Sequence, residues 1–201
     1  MPTLDLPNGY YDLPPGKLAN IATYLEMKAV PDRKLTPFAP DHSLVPVGDM
    51  PTADYRAHFK AVGQNLLWFS RLLMPDEKLQ SVLANPAIDS YVFKSGDQML
   101  GLLELNFEDT VNCELAFFGL VPNAVGSGLG RMLMDEAIRR AFAKPTERLW
   151  LHTCTLDHPA ALPFYLRSSF TPYARMVEIH DDPRLQGKLP LTAAPQVPVL
   201  T

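Results

Sequence analysis

Three glycines at alternate positions, Gly126, Gly128 and Gly130, stand between an apolar strand-like run (Leu115 to Val121) and an amphipathic helical pattern. Glycine accepts positive φ and lets another molecule come close to the main chain. The first turn of a helix leaves its N–H groups without partners, with the positive end of the helix dipole behind them. A junction of this kind is a site for an anionic phosphate group. Two phosphate loops fail on spacing. A Walker-type loop needs G-x-x-x-x-G-K-[ST], and no Lys-Ser or Lys-Thr pair follows these glycines. A dinucleotide loop G-x-G-x-x-G needs glycine at position 131 or 133, where Arg131 and Leu133 stand.

The elements around this loop are legible. Leu129, Leu133, Ala137, Ile138, Ala141 and Phe142 recur at helical spacing, with Arg131, Asp135 and Arg139 opposite. The helix ends near Lys144, ahead of Pro145. Arg148 to Thr155 is rich in strand formers, and Leu156 to Phe170 reads L-D-H-P-A-A-L-P-F-Y-L-R-S-S-F. The loop, V-G-S-G-L-G-R from Val125 to Arg131, resembles the motif [QR]-x-x-G-x-[GA] of the GNAT superfamily of N-acetyltransferases. Val125 stands where that family has Gln or Arg, so one side-chain contact to phosphate is lost. The later segment resembles a second GNAT signature, N-x-x-A-x-x-x-Y-x-x-x-G-F, with Ala161, Tyr165 and Phe170 in register. His158 replaces the usual Asn, and Ser169 the usual Gly. Two signatures in order, a strand apart, are far more specific than either alone.

The resemblance implies an α/β (α+β) fold: a mixed, mostly antiparallel central sheet flanked by helices, its strands splayed at the cofactor site. It implies acetyl-coenzyme A as acyl donor, with no metal. The pyrophosphate would be held by Val125, Gly126, Ser127, Gly128, Leu129, Gly130 and Arg131. An acceptor amine is mostly protonated at neutral pH and must lose that proton before attacking a thioester. Glu114, in the segment E-L-A-F-F-G-L, matches the catalytic glutamate of histone-acetylating members. A strand carboxylate that merely faces solvent is the competing reading, with Glu104 the reserve base and a water relay open to either. Alternation places Asn112, Glu114, Ala116, Phe118 and Leu120 on one face. Gly119 suits a bulge, which would set the thioester carbonyl against Leu120 and Val121 as oxyanion donors. Tyr165 matches the family's usual acid for the departing thiolate and also lies along the cofactor.

Other residues carry weaker readings. Two roles are open to His158, a contact to the pantetheine arm or a cap on the following helix. Asp157 is the better capping type, since Pro159 falls near the first helical position. His152 reads as a packed strand histidine, and Arg71 invites an acidic acceptor. Cys113 and Cys154 read as buried, reduced thiols; the resemblance implies neighbouring strands for them, which leaves a catalytic thiol as the alternative.

Leu18 to Met27 fits a strand, through alternating Ile21, Thr23, Leu25 and Met27, and a helix, through Leu18, Ile21 and Leu25. The resemblance to GNAT proteins implies the strand, and further strands are expected at Leu44 to Val47, Ser90 to Lys94, Gln98 to Phe107, Asn112 to Val121 and Val177 to His180. Helices are expected at Thr52 to Val62 and Asp76 to Ala84, around the bulky stretch Leu66 to Leu73. The 201 residues are one domain's length, with residues 1–42 a proline-rich extension that supplies the first strand and residues 183–201 an extended tail. A net charge of −4 and the lack of basic runs speak against a nucleic-acid partner. The opening M-P-T-L-D-L-P has no leader-like pattern, and no apolar run reaches spanning length, which points to a cytoplasmic protein off the membrane.

Two function classes fit. One is transfer of the acetyl group to a primary amine of a small molecule or peptide, by direct attack in a ternary complex. The other is a non-catalytic acyl-coenzyme A-binding sensor or interaction module on the same fold. The acceptor's identity, the acyl-chain preference and the oligomeric state are open, a homodimer included.

Overall fold

The computed structural model describes residues 7–201; most of the segment read as lacking a leader lies outside them. Seven strands, β1 (Lys17–Met27), β2 (His42–Pro46), β3 (Ile88–Ser95), β4 (Gln98–Asn106), β5 (Asn112–Leu120), β6 (Arg148–Cys154) and β7 (Thr171–Asp181), form one sheet. Their order is β2-β3-β4-β5-β6-β1-β7. Only β5 and β6 run parallel; every other neighbouring pair is antiparallel. The expected segments are all present, the last grown from four residues to eleven because β1 pairs with β7 along its whole length. Local pattern does not tell where β1 goes. It inserts between β6 and β7, so residues far apart in the chain build one half of the sheet.

Helices cover the two faces unequally. α1 (Thr52–Gly63), α2 (Ser70–Leu73) and α3 (Asp76–Leu83) lie on one face; α4 (Leu129–Phe142) and α5 (Ala161–Arg167) lie on the other. α4 turns Leu133, Met134, Ala137, Ile138 and Ala141 fully inward against Leu103, Leu105, Leu149 and Leu151. Each large apolar side chain so buried contributes about 1.5–3 kcal/mol. Tyr55, Phe59 and Val62 of α1 do the same on the opposite face, against Val92 and Leu102.

Two irregular segments clamp these layers. The connection from β1 to β2 crosses α4, where Arg33 forks onto both oxygens of the fully buried Asp135 at 2.6 and 3.0 Å. The Thr36 N–H adds a bond of 2.8 Å to the same carboxylate. Burial works against the Asp135 charge, but these partners win and hold its pKa below the usual carboxylate value. The tail after β7 folds around buried Arg184, which pairs with Asp182 at 2.7 Å and donates to Ala193 O and Val197 O at 3.1 and 2.7 Å. It is thus a packed wall of the α1 face, where Leu189, Ala193 and Ala194 join the core.

Candidate active site

Between β5 and α4 the chain makes a short 3₁₀ turn, Pro122–Ala124, and Ser127 Oγ donates to Ala124 O at 2.6 Å. Gly126 and Gly128 have φ of +85° and +88°, a region that costs other residues about 1–2 kcal/mol. Gly130 has no such φ, and a Cβ there would meet Leu120 and Phe164 at ordinary contact distance. Among the described residues, no N–H from Gly126 through Gly130 donates to a protein acceptor; Arg131 N–H is the next that does, to Gly128 O at 3.1 Å. Five consecutive free donors at a helix start suit a pyrophosphate. Val125 is exposed and brings no side-chain donor. Arg131, partly exposed, leans on Asp135 at 3.4 Å and stands one residue beyond the free N–H groups.

Beside this loop the sheet opens. β5 and β6 pair only at Asn112 with Arg148, Cys113 with Leu149 and Glu114 with Trp150. Beyond Glu114, β6 pairs only with β1, and β5 continues to Leu120 against β4 alone. A V-shaped gap therefore starts at Glu114 and widens toward the glycine loop.

The register corrects two expectations. The bulge is not at Gly119: Glu104 pairs with Phe117 and Leu105 with Leu115, which leaves Ala116 as the extra residue. The expected common face of Asn112, Glu114, Ala116, Phe118 and Leu120 is broken there. Phe118 and Leu120 pack with the α4 and α5 core, whereas Phe117 joins the α1 core. Gly119 is glycine for room, since a Cβ would sit 2.6 Å from Val62 Cγ1 and 2.9 Å from the Trp68 ring. Val121 cannot be an oxyanion donor, because its N–H goes to Leu100 O and its O accepts from Ala124 N–H, both at 2.9 Å. With Val121 N–H aimed at β4, strand alternation turns the N–H groups of Phe118 and Leu120 into the gap.

Glu114 occupies the apex of the V, on the α1 side. It is half-buried, and burial raises its pKa; His152 and Arg71 pull it down and Glu104 pushes it up. No hydrogen bond within the protein engages its carboxylate among the described residues. Glu104 differs. It is fully buried and paired to Arg71, whose guanidinium also lies 5.0 Å from the Phe117 ring. That pairing overturns the acidic-acceptor reading of Arg71, because its charge is already matched.

A family model described as acetyltransferase (GNAT) family matches residues 57–170, more than half of the chain. The chain belongs to the GNAT acetyltransferase family. Solved structures agree on the fold. A GNAT protein from Sphaerobacter thermophilus has a TM-score of 0.59 at 13% identity, covering 81% of this chain and 52% of its own. One from Kribbella flavida has a TM-score of 0.55 at 15% identity, covering 86% and 63%. A functionally unknown protein from Staphylococcus epidermidis has a TM-score of 0.54 at 17% identity, covering 83% and 63%. The chain thus spans about half to two-thirds of the length of these structures. No curated protein matches its sequence.

The remaining residues of the GNAT signatures lie on the α4 and α5 side. Tyr165 of α5 sits edge-on to Phe118 and Phe170, at 6.3 and 6.1 Å. Burial and then Asp157 push its phenol pKa well up, so it keeps its proton at neutral pH. His158 caps a turn: its Nδ1 accepts from Ala160 N–H at 3.1 Å. Asp157 does not cap α5 as expected. It reaches back instead, accepting from Thr153 Oγ1 and Cys154 N–H at 2.8 Å each, which closes the end of β6. Burial raises the Cys113 and Cys154 thiols to about 12 and about 11, so neither is a thiolate at neutral pH. Among the described residues no His, Cys, Asp or Glu cluster could hold a metal ion, and no helix is long and apolar enough to cross a membrane.

Tyr24, Asn20 and Glu178 escaped the sequence reading. They share the Glu114 face only because β1 inserts between β6 and β7, and nothing in their local pattern signals that pairing.

Proposed function

We propose that this chain transfers the acetyl group of acetyl-coenzyme A to a primary amine by direct attack in a ternary complex. The observation that carries the proposal is the run of five free N–H groups opening onto the gap between β5 and β6. The loop would hold the pyrophosphate, with Arg131 adding charge at its edge. Acetyl-coenzyme A, the family's usual donor, supplies the reactive thioester. Glu114 takes a proton from the ammonium, which frees the nitrogen lone pair to bond to the carbonyl carbon; the second proton that nitrogen sheds on becoming an amide replaces the one Tyr165 gives to sulfur. The N–H of Leu120 or Phe118 stabilises the negative charge gathering on oxygen. The C–S bond then breaks, and Tyr165 protonates the leaving sulfur. A raised Glu114 pKa favours proton uptake, and a raised Tyr165 pKa keeps the acid loaded.

Thermal unfolding with acetyl-coenzyme A tests the loop. At about a hundred times its dissociation constant the ligand stabilises by about 2.7 kcal/mol. Gly128→Val forces a branched residue into positive φ and abolishes that shift, while Gly130→Ala, with room for a Cβ, retains it. No shift in the parent would sink the proposal. A shift without coenzyme release on any amine would favour the non-catalytic sensor.

A further inference from the structure

The half of the sheet that α1 to α3 leave open holds a concavity of about 370 Å³ between β1, β6 and β7, lined by Tyr24, His152 and Glu178 among others. The Tyr24 ring stacks with His152 at 5.3 Å and Trp150 at 6.1 Å, and meets Tyr173 edge-on at 6.1 Å. Aromatic faces in such a wall attract cations.

Charge on this face is unbalanced. Glu114 and Glu178 have no cation partner among the described residues, while the nearby arginines are spent, Arg71 on Glu104 and Arg148 on Glu26. Glu178 receives one bond, from Asn20 Nδ2 at 3.0 Å. Asn20 is only 3% exposed, and its Oδ1 is buried with no donor. The amide cannot be turned round, because its oxygen would then face a carboxylate that has no proton to donate. A buried neutral amide thus holds Glu178 in place and leaves its carboxylate without a positive partner. Tyr24 links the two ends, since both Glu178 and Glu114 lie within electrostatic reach of its hydroxyl.

We infer that the groove receives an amine that carries a second cationic centre. The reacting nitrogen lies at Glu114, and the second cation is held by the exposed Glu178 carboxylate and the rings around Tyr24. This rests on the acetyl-transfer reading and names its acceptor class. Asn20, Tyr24 and Glu178 fall outside residues 57–170, so the selectivity belongs to this chain rather than to the family core.

The experiment compares 1,5-diaminopentane and spermidine with 1-aminopentane, reading coenzyme A release and, separately, calorimetric binding. The parent favours the two polycations over the monoamine by at least about tenfold in kcat/KM, the size of one charge-assisted contact. Glu178→Gln, at an exposed strand position, raises KM for the polycations by about that factor with kcat held, and the preference collapses. Equal use of monoamine and diamine by the parent, or an unchanged preference in Glu178→Gln, overturns the inference. Should no amine be acetylated, the acetyl-transfer reading fails while calorimetry still decides this one. Saturable diamine binding lost in Glu178→Gln supports the groove, and no binding by the parent overturns it.

Discussion

The glycine loop and the groove around Tyr24 lie on either side of one gap in the sheet, and they are made from different material. The loop offers main-chain N–H groups, freed by two positive-φ glycines and a helix start. Almost any side chain could surround it without changing what it grips. The groove offers carboxylates, an amide and aromatic rings, placed by strands that meet from opposite ends of the chain. On the acetyl-transfer reading, the backbone site meets what all acyl-coenzyme A molecules share, and the side-chain site is free to differ from one family member to the next. Glu114 stands where the two meet, at the last residue of β5 that still pairs with β6.

That position makes Glu114 the sharpest point at which to separate the two regions. Glu114→Gln keeps the shape and removes the base, so turnover falls by about 10²- to 10⁴-fold. The acetyl-coenzyme A stabilisation stays, because the loop is untouched. The pH profile adds a second readout. A base works when ionised, so kcat/KM rises with pH through the Glu114 pKa, and burial moves this limb above the ordinary carboxylate range. In Glu114→Gln the limb disappears. A variant with full turnover and the same limb would move the base elsewhere on the acceptor side.

The difference between the regions also decides what could be read from residues alone. Glycines at 126 and 128 announce positive φ, and the strand-to-helix switch is a matter of local periodicity, so the loop was legible. Glu114 was legible as a strand carboxylate in a matching segment. Its true face was not, since the bulge at Ala116 is set by the register against β4 and an alanine gives no hint of it. The partners of Arg71 and Asp157 were misjudged for a related reason. Both side chains answer to groups in other elements, Glu104 on β4 and Thr153 on β6, and composition is blind to such pairings. The insertion of β1 is the extreme case, because two distant segments must fold before the groove exists.

Tyr165 tests the cofactor side of the gap in turn. Tyr165→Phe preserves the ring contacts with Phe118 and Phe170 and deletes only the hydroxyl. The coenzyme thiol resembles a free thiol, with a pKa of about 8.5, so its thiolate leaves fairly well without help. The expected loss is therefore smaller than for Glu114, about 10-fold in kcat, with little change in acetyl-coenzyme A affinity. A loss equal to that of Glu114→Gln would mean that expulsion of sulfur limits the rate. No loss would return Tyr165 to plain packing.

The smallest effect concerns the turn that follows α5. Ser169, where GNAT signatures carry glycine, takes φ of +77°, and Phe170 N–H closes the helix end onto Tyr165 O at 3.1 Å. A non-glycine residue in that region costs about 1–2 kcal/mol. Glycine relieves this but gives back about 0.5–1 kcal/mol of backbone entropy. Ser169 is exposed, and its hydroxyl makes no hydrogen bond within the protein, so nothing else is lost. Ser169→Gly is expected to stabilise by about 0.5–1 kcal/mol, or roughly 1–4 °C in melting temperature. The change lies on the α5 side, so acetyl-coenzyme A affinity and the preference among amines should both hold. A melting point that fell would mean the serine stiffens the turn that seats Tyr165. The coenzyme side would then depend on a side chain after all, and the contrast between a backbone site and a side-chain site would narrow to the loop itself.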